Sequence, residues 1–127
     1  MEKTKIEIEY PMKCTAASLY RALSTPAGLK EWFADKVEVD GNQYTFVWGG
    51  SPEKALLQDS REEVYLKYVW KDTPEYFLGF DIDYQEFTEN LILKVTDFAY
   101  DYELEDTVNL WNLQVEKLKR SIGCVKN

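Results

Sequence analysis

The spacing of apolar and polar positions changes along the chain, and each change marks an element. Toward the end, Leu104, Val108, Trp111, Val115, Leu118 and Ile122 recur at alternating steps of four and three, which lines one face of an α-helix. A helix from Leu104 to Ile122 is expected. Asp106 and Thr107 are candidates to cap its start, Lys117, Lys119 and Arg120 suit the negative end of its dipole, and Gly123 suits the position past the last turn. At 1.5 Å per residue such a helix spans roughly 27 Å. Its apolar stripe needs cover from the rest of the chain.

That cover lies upstream. Lys5 to Tyr10 alternates strictly, with Ile6, Ile8 and Tyr10 against Lys5, Glu7 and Glu9, as a strand with one wet face does. Pro11 is expected to end it. Thr15 can cap a short helix carrying Leu19, Tyr20 and Leu23, and Ser24-Thr25-Pro26 announces a second, Ala27 to Ala34. Val37 and Val39, the turn Asp40-Gly41-Asn42, and Tyr44, Phe46 and Trp48 read as a hairpin closed by the loop Gly49-Gly50-Ser51-Pro52. Ala55 to Asp59 is a partner strand for the run through Leu66, Tyr68 and Trp70. Two further runs follow, Leu78, Phe80, Ile82 and Tyr84 against Asp81 and Asp83, then Leu91, Leu93 and Val95 against Ile92, Lys94 and Thr96. The sum is an α+β domain: a curved antiparallel sheet of about six or seven strands, wrapped around a long C-terminal helix, with two short helices after the first strand.

Composition narrows the function. With 127 residues, 45% of them apolar and 15% aromatic, the chain reads as one domain, 1–127, able to bury about two thirds of its unfolded surface. No apolar run has the length of a membrane span, and no apolar segment follows Met1 to Lys5, so a soluble cytoplasmic protein is expected. Cys14 and Cys124, far apart in sequence, read as two reduced thiols. From Asp72 to Asp106 there are eleven acids against the single base Lys94, while the rest of the chain is nearly balanced. A net charge of −8 without a basic stripe argues against nucleic acid as partner. The acidic segment reads as a solvated sheet face, or as a surface around Asp81, Asp83 and Glu86 that meets a basic protein partner.

Catalysis and metal binding find few candidates. The chain has no histidine, which removes Ser-His and Cys-His nucleophile pairs and histidine metal sites. Asp81 to Glu89 lacks the glycine a calcium loop needs at its sharp turn. No phosphate-binding glycine loop follows any strand. No catalytic residue, metal or cofactor is therefore assigned.

The stretch Ser24-Thr25-Pro26-Ala27-Gly28-Leu29-Lys30-Glu31-Trp32-Phe33-Ala34-Asp35 resembles the START-like superfamily, also called SRPBCC, Bet v 1-like or helix-grip. The Trp-Phe ending is similar to its branch related to the activator of the heat-shock protein 90 ATPase. Phe46-Val47-Trp48-Gly49-Gly50-Ser51, Val95-Thr96-Asp97-Phe98-Ala99 and Leu110 to Lys119 resemble a group of small bacterial members without an assigned role. The resemblance implies a cavity between sheet and long helix that holds a small hydrophobic molecule, a lipid or an aromatic compound. It also leaves open a co-chaperone-like interaction module and a cyclase-like enzyme working with Tyr or Asp in a shaped cavity. Alternation then nominates the lining: Phe46, Trp48, Leu66, Tyr68, Trp70, Phe80, Ile82 and Leu93 from the sheet, Trp32 and Phe33 from the short helices, and Trp111 and Val115 from the long one. Tyr68, Trp48 or Trp70 would orient the ligand. Rings of this size can also fill such a space, and both readings stand at this point.

Overall fold

A computed structural model of the chain describes residues 2–85 and 90–124. The chain forms strand β1 (Thr4–Met12), helices α1 (Ala16–Ser24) and α2 (Pro26–Trp32), then strands β2 (Lys36–Asp40), β3 (Gln43–Trp48), β4 (Ser51–Arg61), β5 (Tyr65–Trp70), β6 (Phe77–Gln85) and β7 (Asn90–Ala99). A 3₁₀ turn, Asp101–Glu103, leads into the long helix α3 (Leu104–Ser121). The strands make one seven-stranded antiparallel sheet in the order β1-β7-β6-β5-β4-β3-β2. This is the α+β architecture expected from the pattern.

Period-two alternation sets the faces. Tyr44 and Phe46, Leu66 and Tyr68, Leu78, Phe80 and Ile82, and Leu91, Leu93 and Val95 point inward and are buried. Trp111, Val115 and Leu118 of α3 are buried against this core, and Leu104, Val108 and Ile122 are half-buried at the margins of the same stripe. Asp81 and Asp83 lie exposed on the other face of β6, opposite Lys94 and Ile92 of β7. Glu86, the third acid nominated on that face, lies outside the described residues.

Several boundaries differ from expectation for identifiable reasons. Pro11 does not end β1, which continues through it to Met12. β1 is an edge strand, where a residue without an N–H is tolerated on the unpaired side. Asp106 and Thr107 lie inside α3 instead of capping it. Its N-cap position is Glu103, without a side-chain hydrogen bond. The preceding 3₁₀ turn, with Glu103 N donating to Tyr100 O at 2.8 Å, delivers the chain into the helix, and Glu105 and Asp106 in the first turn complement the dipole. The loop expected over Gly49 to Pro52 contracts to a two-residue turn, because Trp48 pairs with Ser51 across it. Gly49 and Gly50 both adopt positive φ, 54° and 84°, as a tight hairpin turn demands. β4 runs longer than Ala55–Asp59 and carries an irregularity between Leu57 and Asp59. The second helix closes at Trp32, two residues early, with Phe33 as its C-cap.

The two short helices are held by close approach and by aromatic donors. A Cβ at Gly28 would fall 2.7 Å from Ala22 Cα and from Arg21 O, so only glycine lets α2 cross α1 at this distance. The last carbonyls of α1 are met one after another by side-chain donors. Arg21 O accepts from Thr25 Oγ1 at 2.8 Å, Ala22 O from Trp32 Nε1 at 2.9 Å, Leu23 O from the Tyr68 hydroxyl at 2.6 Å and Ser24 O from the Tyr44 hydroxyl at 2.7 Å. Tyr44 of β3 and Tyr68 of β5 thereby help to cap the helix the sheet supports.

Candidate functional site

The inward-facing residues divide into a closed interior and an open rim. In the interior, Trp32, Phe46, Tyr68 and Phe80 pack ring against ring, with centroids 5.9 to 6.3 Å apart along the chain Phe46–Tyr68–Phe80 and 6.0 Å between Trp32 and Phe80. Leu66, Ile82, Leu93 and Val115 are buried among them. The polar tips of this cluster are engaged with backbone: Tyr68 with Leu23, Trp32 with Ala22. Burial and the neighbouring Tyr44 push the Tyr68 phenol well above its ordinary value, so its proton stays on. Among the described residues no buried side-chain nitrogen or oxygen lacks a partner.

The rim is different. Beside the N-terminal half of α3 lies an open groove of about 470 Å³, with Phe33, Trp48 and Trp111 among its walls. Phe33 stacks on Trp111 at 6.0 Å and 23°, and meets Trp48 edge to face at 5.2 Å. Trp48 is fixed in turn by its Nε1, which donates to Phe33 O at 2.7 Å. The groove is bordered by Glu53 of β4 on one side and by Asp97 of β7 on the other. These strands are far apart in the strand order, so the sheet curls until its two arms face each other across the groove. Leu110 and Gln114 of α3 separate it from an adjoining depression of about 460 Å³ that reaches Leu113 and Lys117. Leu110 and Leu113 are 55% and 67% exposed.

Asp97 is the site residue that sequence reasoning missed. It continues the inward row Leu91, Leu93 and Val95, placing a carboxylate where an apolar residue is the rule. Trp111 Nε1 donates to its Oδ2 at 2.9 Å, and the backbone N–H of Phe98 donates to its Oδ1 at 2.8 Å. Burial raises its pKa above the ordinary carboxylate value, with the two hydrogen bonds and Lys3 opposing the shift. The available signal was parity: a charged residue on the inward phase of a strand.

Of the twelve nominated residues, Phe33, Trp48 and Trp111 meet at the groove. Trp32, Phe46, Leu66, Tyr68, Phe80, Ile82, Leu93 and Val115 form the packed interior behind it. Trp70 is half-buried against Phe46 at 6.0 Å. At the other end of α3 a second depression, about 370 Å³, is bordered by Lys13, Lys119, Arg120 and Cys124 and has no aromatic wall. There the two thiols adjoin. Lys13 N donates to Cys124 Sγ at 2.8 Å, and burial together with the Cys124 thiol pushes Cys14 up to about 12. Among the described residues no cluster of Cys, Asp or Glu could hold a metal ion, and no helix is long and apolar enough to cross a membrane.

Comparison with known proteins agrees with this architecture. A family model described as a START-like superfamily domain matches residues 1–124. A solution NMR structure from Bacteroides fragilis is 35% identical, covers 100% of this chain and 96% of its own, and superposes with a TM-score of 0.68. The Aha1 dimer from Colwellia psychrerythraea is 17% identical, with a TM-score of 0.77 over 94% of this chain and 96% of that one. A Bacillus halodurans protein, also 17% identical, gives 0.75 over 96% and 99%. No curated protein matches the sequence. The chain belongs to the START-like superfamily.

Proposed function

We propose that this domain binds a small, mostly apolar molecule at the seam of sheet and helix, in the groove walled by Phe33, Trp48 and Trp111. The observation that carries this reading is the groove itself: the half-buried Trp48 and the accessible edges of Phe33 and Trp111, which are otherwise buried, border an open space, and each ring is already fixed by a neighbour. Preorganised rings lose little side-chain freedom when a ligand arrives, so stacking and burial appear as net affinity. The packed rings of Phe46, Tyr68 and Phe80 lie behind these walls. Binding needs no nucleophile, and the domain acts as a carrier or sensor.

Native mass spectrometry of the protein purified from its own cells tests this. A small organic molecule at one-to-one stoichiometry, released on denaturation and raising the thermal midpoint when added back, is the expected result. A bare mass, with no stabilisation by a library of lipids and aromatic compounds, would overturn the reading.

A further inference from the structure

The groove also carries a charge signature, and with it a chemical class of ligand. Its charged walls are Glu53, Asp97 and Glu103, against Lys3 alone. Lys3 lies near enough to Asp97 to favour its charged form, while its ammonium sits 5.1 Å from the centre of the Tyr76 ring and 5.4 Å from that of Tyr100. Among the described residues no lysine or arginine forms an ion pair with these three acids. Each oxygen of Asp97 accepts one hydrogen bond, from Trp111 and from Phe98. A carboxylate has about four acceptor sites, so it retains capacity toward the groove.

We infer that the groove selects a small aromatic amine, its ring against Trp48 and the accessible edges of Phe33 and Trp111 and its ammonium group at Asp97. This rests on the small-molecule reading above and adds the ligand's charge. A neutral ligand can offer Asp97 at best an uncharged hydrogen bond, weaker than a charge-assisted one, and an anion would meet three carboxylates. A cation supplies the counter-charge that Lys3, against three acids, leaves incomplete. The net charge of −8 draws cations toward the molecule from a distance.

Isothermal titration with three molecules of one shape separates the two inferences: 2-phenylethylamine, 2-phenylethanol and 3-phenylpropionate. The amine is expected to bind about tenfold more tightly than the alcohol, with the acid weaker still. Asp97→Asn should bring the amine down to the level of the alcohol without weakening the alcohol. If that variant unfolds, Glu53→Gln/Glu103→Gln, altered only at exposed positions, should reduce amine affinity severalfold. Equal affinity for all three molecules would overturn the charge inference and leave the small-molecule reading standing. Absence of binding by all three would count against both, and an amine preference unchanged in the variants would remove the acids from the account.

Discussion

The hydroxyl of Tyr68 does two things at once. It fills the floor of the sheet with a fully buried ring and gives Leu23 O, at the end of α1, its hydrogen bond. Tyr68→Phe keeps the ring and leaves that carbonyl buried without a donor, a loss of about 1–3 kcal/mol. Tyr44→Phe should cost less, because Ser24 O lies at a half-buried residue where water can replace the phenol. Chemical denaturation of the two variants measures the order, and equal losses would contradict it. Asp97 makes a prediction of opposite kind. Burial raises its native pKa above 3.8, so between those two values the native state binds more protons than the unfolded chain. Its contribution to stability is present in full below the unfolded value and is lost as pH rises through the native one. The charged groups around it at the groove are Lys3, Glu53 and Glu103, and they are unchanged in Asp97→Asn. Stability curves from about pH 7 to about pH 4 should therefore show the parent gaining on the variant as acid is added. Parallel curves would show that Asp97 titrates normally.

Helix α3 links the elements, and it was the most legible of them. A stripe repeated at steps of four and three fixes both the type of element and the face it buries, and Trp111, Val115 and Leu118 are buried as that stripe requires. Its start was misread because the capping rule looks for a side chain, whereas here a 3₁₀ turn joins β7 to the helix through backbone. Pro11 was misread for a related reason: whether proline ends a strand depends on whether that strand lies at an edge, which is a property of the sheet. The twelve nominated side chains all derive from alternation, and alternation reports which way a side chain points, not how far the opposing surface stands off. Separating Trp48 at the rim from Phe46 in the interior needs the position of α2, which Gly28 sets by allowing a close crossing. Trp111 belongs to core and groove alike, packing on Trp32, Phe33 and Phe80. Trp111→Ala should destabilise the fold by about 3–5 kcal/mol and weaken binding at the groove. Denaturation midpoints within experimental error of the parent would refute this placement of the helix.

At the scale of the molecule, one long helix closes a curled sheet whose interior is filled and whose rim is open. Charge divides accordingly: exposed acids such as Asp81 and Asp83 lie on the outer face of β6, while Asp97 faces inward to the groove. Net charge and the count of acids were readable from composition. Their partition between a solvated face and the groove was not, because it depends on the parity of each strand within the assembled sheet. On the proposed reading, small aromatic molecules enter at Phe33, Trp48 and Trp111. The four tryptophans provide four indole N–H signals, and the most direct measurement is their response to a titrated set of aromatic fragments in two-dimensional NMR. Saturable shifts of Trp48 and Trp111, with Trp70 unmoved, are expected. No shift at any of the four, or shifts confined to Trp70, would contradict the account.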